Sequence, residues 1–315
     1  VAGQFRVFTG IANDELADLL TRGLGVRLGA SEVSRFPDGE VSVEILEPIQ
    51  ERPVFIVQST SPPVNDHLVE LLAFVDACRR AGARRITAVI PYFGYGRADK
   101  RHGRHEPISA SMVADLLECV GVNHVVTVDL HAAQSEGFFR VPVDNLTAVS
   151  TLCGAVRDRL PSSTVVVTPD PGRLRMAIEY AERLGLPVAV LHTGSPTSPE
   201  ADAVRVVGDV RGHPCLIVDD IIATGTTLAR SIEALQKAGA RPGFIIAATH
   251  GLLLSGARER LGDERVSEVF VTDTVRVDGK GCPKLRVVSV APLIVAALQR
   301  LLAEGSLTDA GPGSA

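Results

Sequence analysis

The chain has 315 residues, enough for two domains of ordinary size, and its 45% hydrophobic and 22% charged residues are typical of a soluble globular protein. A net charge of −5, the absence of Trp and only 4% aromatic residues argue against a nucleic-acid partner and against an anionic membrane surface. The scattered Cys78, Cys119, Cys153, Cys215 and Cys282 form no Cys-x-x-Cys pair, so neither a disulfide framework nor a zinc site is expected; a cytoplasmic setting without signal peptide or membrane span fits best.

In chain order, residues 5–9 read as a strand and 13–22 as a helix with Leu16, Leu19 and Leu20 on one face. Pro37, Asp38 and Gly39 make a turn, after which Val41, Val43 and Ile45 alternate as in a strand; alone, this is a simple hairpin. Residues 54–58 read as a buried strand, 66–80 as a helix with Leu68, Leu71, Leu72 and Val75 apolar, and 86–90 as the next strand. That strand runs into a basic segment in which Arg97, Lys100, Arg101 and Arg104 are interspersed with His102 and His105. A charge run is usually a solvated loop. This one follows a buried strand and two glycines, where open α/β sheets place ligands, and it suits a polyphosphate.

A helix is expected from Pro107 onward, with Ile108, Met112, Leu116 and Leu117 in a stripe, then a strand over 125–128 ending in Asp129-Leu130-His131. His131 alone would rank as structural; beside a phosphate site it becomes a candidate metal ligand or phosphate donor. Residues 150–160 and 173–184 read as helices and 164–167 and 187–191 as strands, with Asp170 in a Thr-Pro-Asp-Pro-Gly turn. Residues 192–199 are rich in turn formers.

The stretch 216–228 organises the rest. Leu216, Ile217 and Val218 read as a buried strand, Asp219 and Asp220 follow, and a small-residue turn leads to Leu228, Ile232 and Leu235 at helical spacing. An isolated acid pair would read as a helix cap. Here Gly225 permits close backbone approach, Thr224, Thr226 and Thr227 add hydroxyls, and the helix N-terminus favours an anion. The acids suit sugar hydroxyls, so the stretch reads as a sugar-phosphate site. Strands over 244–247, 269–272 and 285–288, a helix over 291–303 and a loose tail over 305–315 complete the chain. Ala81-Gly82-Ala83-Arg84 and Ala238-Gly239-Ala240-Arg241 follow the same strand–loop–helix order, so two similarly folded halves are expected, with a boundary near 144–148.

The stretch 216–228 resembles the ribose-phosphate loop of type I phosphoribosyltransferases. Over nearly its whole length the chain resembles the ribose-phosphate diphosphokinases, or phosphoribosyl pyrophosphate synthetases. The motifs that carry this are Phe36-Pro37-Asp38-Gly39-Glu40, Gln58-Ser59-Thr60-Ser61, Pro91-Tyr92-Phe93-Gly94-Tyr95-Gly96-Arg97, Glu106-Pro107-Ile108, Asp129-Leu130-His131, Gly137-Phe138-Phe139, Pro169-Asp170 and Asp219-Asp220.

The resemblance implies two similar phosphoribosyltransferase-like α/β domains, each a mainly parallel sheet flanked by helices. Residues 1–146 would make the nucleotide contacts; 147–315 would carry the ribose-phosphate loop, the C-terminal helix and the tail. The implied reaction moves the diphosphoryl group of ATP to ribose 5-phosphate with Mg²⁺, giving phosphoribosyl pyrophosphate and AMP. By matched position, Phe36, Asp38, Gly39 and Glu40 would hold adenine from a neighbouring subunit. Arg97, with Asp99, Lys100 and Arg101, would hold the ATP phosphates, and His131 and Asp170 would serve the metal. Asp219, Asp220, Thr224, Gly225, Thr226, Thr227 and Leu228 would hold ribose 5-phosphate. A homo-oligomer, by resemblance a hexamer, is implied as well.

The chain departs from the family in two places. Ala98 stands where a Gln is usual, and residues 192–203 hold no Lys or Arg where the family has both. Counting back from Asp220, the loop Lys position falls on Thr193, or on His192 with a one-residue slip. These two are the loop's catalytic candidates. A catalytically weak nucleotide-binding homologue, and a phosphoribosyltransferase, remain as competing readings.

Overall fold

The structure is a computed structural model that describes residues 5–101, 103, 105–193, 204–279 and 281–303. The chain divides into two compact units. One comprises Val1–Thr147, Thr274–Arg276 and the segment from Val290; the other comprises Ala148–Asp273 and Val277–Ser289.

The first unit runs β1 (Arg6–Thr9), α1 (Asp14–Leu24), β2 (Ser31–Arg35), β3 (Val41–Ile45), β4 (Pro53–Val57), α2 (Val64–Arg80), β5 (Arg85–Ile90), α3 (Ser109–Val120), β6 (His124–Val128) and β7 (Val143–Leu146). Its main sheet, in the order β1-β4-β5-β6-β7, is parallel throughout. Helices on both faces explain why β4, β5 and β6 are almost continuously apolar rather than alternating. Asn13 starts α1 by accepting the Leu16 amide at 3.2 Å, leaving the helix to begin one residue later than the sequence spacing suggests. β2 and β3 leave the sheet as an antiparallel hairpin whose Val33, Val43 and Ile45 pack on the core.

The expected stripe on α3 is only partly right. The helix starts at Ser109 rather than Pro107, and Met112 and Leu116 are exposed. The small Ala110 and Ala114, with Val113 and Leu117, form the buried face. β7 falls inside the expected boundary region and pairs with β6, which extends the first sheet to Leu146.

The second unit runs α4 (Val149–Val156), β8 (Val165–Thr168), α5 (Leu174–Leu184), β9 (Val188–Thr193), β10 (Val204–Val207), β11 (Cys215–Ile222), α6 (Thr226–Lys237), β12 (Phe244–Gly251), α7 (Ala257–Leu261), β13 (Val266–Thr272) and β14 (Leu285–Val288). Its sheet order is β10-β9-β8-β11-β12-β13-β14, parallel except for the β9–β10 pair. The chain enters at β8, adds β9 and β10 on one side, then crosses to β11 on the other. Such a reversal opens a crevice at the C-terminal ends of β8 and β11.

The internal repeat is visible in the backbone. After α2, the Ala83 amide reaches Cys78 O at 3.1 Å, Gly82 has φ +81°, and Gly82 O accepts from Glu51 at 2.8 Å. After α6, the Ala240 amide reaches Leu235 O at 3.0 Å, Gly239 has φ +87°, and Gly239 O accepts from Gly212 at 2.8 Å. Both helices thus end in the same left-handed cap, a conformation that glycine adopts without steric cost, and both caps hold the turn before the preceding strand.

The terminal helix α8 (Ala291–Leu302) belongs with the first unit, not the second as the sequence suggested. It packs on α1, where a Cβ at Gly23 would lie 2.6 Å from Val295, so the missing side chain is what allows the close approach. Arg276 pairs with Asp14 at 3.2 Å and Glu15 at 3.4 Å in the first turn of α1. The expected tail over 305–315 lies outside the described residues. No helix among the described residues is long and apolar enough to cross a membrane.

Candidate active site

In the second unit β11 carries Asp219 and Asp220 to the crevice, and both are buried. Alternation along the strand puts Asp219 on the face of Cys215 and Ile217, which pack under α6, and Asp220 on the other face. The Asp220 amide donates to Asp219 Oδ1 at 2.9 Å. Arg173 Nε donates to Asp220 Oδ1 at 3.0 Å. Burial, and after it the negative charge of Asp220, pushes the Asp219 carboxyl well above the usual carboxylate range, against the weaker pull of Arg173. A carboxyl so biased keeps its proton to higher pH and can donate as well as accept toward a sugar hydroxyl.

Arg173 comes from the short 3₁₀ turn Pro171–Arg173, which follows β8. Asp170 caps that turn by accepting the Gly172 amide at 2.8 Å. One capped turn therefore sets both the exposed Asp170 and the arginine that reaches Asp220 across the crevice. Sequence reasoning missed Arg173; its signal was a base directly after Pro-Asp-Pro-Gly.

Past β11 the chain turns sharply into α6. Gly225 sits at the N-cap with φ +75° and no side-chain cap, so the first amides of α6 are left for another acceptor. Thr224, Thr226 and Thr227 are exposed, and the hydroxyls of Thr224 and Thr226 lie 3.0 Å apart. Arg260 in α7 donates to Thr224 O at 2.9 Å, and a Cβ at Gly225 would sit 3.5 Å from the Arg260 Cβ. The loop is thus braced from below while its threonines face out. Sequence reasoning missed Arg260 too, and nothing near it in the sequence points to the loop. Leu228 is buried in the core, so only its backbone is available to an anion.

In the first unit Phe36, Asp38, Gly39 and Glu40 form the tip of the β2–β3 hairpin and are all exposed. The Phe36 amide donates to Glu40 O at 2.9 Å, and Asp38 Oδ1 accepts the Glu40 amide at 3.1 Å. The tip therefore holds its shape from within, while the Phe36 ring is 55% exposed. Arg97, Asp99, Lys100 and Arg101 follow β5; Arg97, Lys100 and Arg101 are exposed, and Asp99 accepts from Gln134 at 3.3 Å. His131 follows β6 and lies beside them, its Cβ 3.7 Å from where a Gly96 Cβ would be. Asp129, just before it, has φ +42°, a conformation unusual outside glycine.

The structure thus gathers Asp170, Asp219, Asp220 and residues 224–228 at one crevice of the second unit, and Arg97, Asp99 and His131 at adjoining strand ends of the first. His131 and Asp170 lie in different units. His192 is exposed near the end of β9, and Thr193 is its last residue. Arg104, His102 and residues 194–203 lie outside the described residues. Among the described residues no three histidines, cysteines or acids cluster as a metal cage.

Residues 5–121 match the family model for the N-terminal domain of ribose phosphate pyrophosphokinase, and residues 196–310 match that for a phosphoribosyl synthetase-associated domain. A ribose-phosphate pyrophosphokinase from Ralstonia nicotianae is 43% identical over 304 residues, covering 96% of each chain. One from Thermotoga maritima is 41% identical over 303 residues, covering 95% of this chain and 96% of the relative. The crystal structure of phosphoribosylpyrophosphate synthetase from Mycobacterium smegmatis matches with a TM-score of 0.89 at 39% identity, over 96% of this chain and 100% of that chain.

Proposed function

This chain belongs to the ribose-phosphate pyrophosphokinase family, and from that premise we propose that it transfers the β,γ-diphosphoryl group of ATP to the C1 hydroxyl of ribose 5-phosphate. The observation that carries the reading is the crevice of the second unit, where a buried acid pair leads directly into an open, threonine-lined helix start. The loop amides and hydroxyls of Thr224, Gly225, Thr226 and Thr227, with the Leu228 amide, bind the 5-phosphate. Asp219 and Asp220 take the ribose hydroxyls, and Arg173 fixes the Asp220 carboxylate for that task. Arg97, Lys100 and Arg101 bind the ATP phosphates. Phe36, Asp38, Gly39 and Glu40 hold the adenine bound by a neighbouring copy in a homo-oligomer; a ring exposed at a self-supporting hairpin tip suits that task.

Mg²⁺ fits these residues. It takes oxygen ligands and uses one or two protein carboxylates beside waters and phosphates, so no closed cage is needed. The exposed carboxylate of Asp170 would be such a ligand, and His131, beside Gly96 at the strand ends of the first unit, would be another. When bound, the ion supplies charge neutralisation on the phosphate oxygens. The protein's own residues position the C1 hydroxyl and the terminal phosphates, which is most of what phosphoryl transfer asks of an enzyme.

The test is to incubate the protein with ATP, Mg²⁺ and ribose 5-phosphate and to separate the products. Equal amounts of AMP and phosphoribosyl pyrophosphate are expected. ATP consumption that does not depend on ribose 5-phosphate would reject the reading.

A further inference from the structure

The strand that returns from the loop supplies a permanent cation. In the antiparallel pair of β9 and β10, Arg205 lies directly opposite His192. Residues opposite each other in a ladder project from the same face. Val204 and Val206, on either side of Arg205, pack against the core under α6. Arg205 and His192 therefore project from the other face, and both are exposed.

That face carries Asp220, and that edge is the one at which the sugar-phosphate site lies. The ladders align Val218 with Thr168 through the Leu216–Val166 and Ile217–Val167 pairs, and Thr168 with Val190. Two residues further along each strand, on the same face, come Asp220 on β11, Asp170 just past β8, and His192 on β9 with Arg205 across from it on β10. β8, β9 and β11 run parallel, so their C-terminal ends share one edge of the sheet. Inter-strand spacing puts Arg205 about 14 Å from Asp220, Cα to Cα, with Asp170 in between. A long, always-charged side chain thus points from one end of a row whose other end is Asp220.

We propose that Arg205 is the cation that meets the transferred diphosphoryl group, filling the role left open by the absence of Lys and Arg from residues 192–203. The inference rests on the reaction proposed above. As that group leaves ATP, its bond to the α-phosphate oxygen breaks and a bond to the ribose C1 oxygen forms. The C1 hydroxyl loses its proton and AMP departs. Negative charge spreads over the moving phosphoryl oxygens, and a guanidinium offers them paired donors in a fixed plane.

The test compares wild type with Arg205→Ala, Arg205→Lys and Arg241→Gln in the ribose 5-phosphate-dependent assay. Arg241 is exposed at the opposite edge of the same sheet, just before β12. Arg205→Ala should lower kcat by about a hundredfold or more, with KM for ATP and ribose 5-phosphate within about threefold. Arg205→Lys should recover part of that loss, added guanidinium should partly restore Arg205→Ala, and Arg241→Gln should stay within about twofold of wild type. A kcat for Arg205→Ala within threefold of wild type, or a loss confined to KM, overturns the assignment. A loss in Arg205→Ala that neither lysine nor guanidinium relieves would mark a structural role and also overturns it. A wild type that makes no phosphoribosyl pyrophosphate overturns the reaction itself, and is told apart by needing no variant.

Discussion

Arg173 joins the turn after β8 to Asp220 on β11 in the crevice proposed to bind the sugar phosphate, and its removal tests how that crevice is built. The guanidinium donates to Asp220 at 3.0 Å, with the two side chains 14% and 5% exposed. Breaking a buried pair by deleting one partner costs about 3–5 kcal/mol, because the other charge stays behind. The residual exposure of Arg173 places the loss at the lower end, about 3 kcal/mol at pH 8. Arg173→Met keeps most of the volume and removes the charge, so packing contributes little. The pH dependence has a definite sign. The folded Asp219 carboxyl is raised above its unfolded value, so its contribution to stability is full below the ordinary carboxylate range and is lost as pH rises through the raised value. Arg173 opposes that rise, so its removal should deepen the loss at pH 8 and matter less at pH 5, where the acid pair can hold a proton. Urea unfolding of both proteins at the two pH values, followed by circular dichroism, measures the difference. A loss below about 1 kcal/mol at pH 8, or a larger loss at pH 5 than at pH 8, would refute the argument.

Other outcomes follow from the same contacts. Asp220→Ala should abolish ribose 5-phosphate binding in calorimetry while ATP binding persists; unchanged sugar-phosphate affinity would remove the assignment. Gly225→Val forces a β-branched residue to φ +75° in a loop packed on α7, and should weaken ribose 5-phosphate binding by about tenfold or more, read by the same titration. Phe36→Ala removes a ring that is 55% exposed, so the melting temperature should hardly move while KM for ATP rises several-fold; a protein that sediments as a monomer with unaltered ATP affinity would contradict the role of the hairpin. Glu70 is fully buried, accepts from Ile11 at 2.7 Å and Gln58 at 3.2 Å, and burial raises its carboxyl. Glu70→Gln should therefore flatten the fall in stability that the wild type shows as pH rises through the raised value; identical pH profiles for the two proteins would argue against it.

The candidate site of the second unit could be proposed from the sequence because its parts are contiguous. Asp219, Asp220 and the Thr224-Gly225-Thr226-Thr227 turn lie on one strand–loop–helix, where local pattern and local geometry coincide. The repeated Ala-Gly-Ala-Arg was readable for the same reason: a left-handed helix cap is a local event. What escaped was set by distance along the chain. Arg173 and Arg260 reach the site from 47 and 36 residues away, and only the folded sheet brings them there. α8 was misplaced because an apolar helix at the end of a chain carries no mark of which surface it covers; Gly23, the residue that admits Val295, lies in the first helix. The α3 stripe held at Leu117 but not at Met112 and Leu116, because Ala110 and Ala114 score as weakly apolar yet line the buried face. The register of β9 against β10 needs both strands, so Arg205 opposite His192 could not be read from either alone.

The most direct measurement follows the label of ATP carrying ³²P in its terminal phosphate. Incubated with Mg²⁺ and ribose 5-phosphate, the wild type should deliver that label into phosphoribosyl pyrophosphate, mole for mole with AMP, and Asp220→Ala should deliver none. Label appearing as inorganic phosphate with ADP, or remaining in ATP while ribose 5-phosphate is bound, would contradict transfer of the diphosphoryl group as a unit.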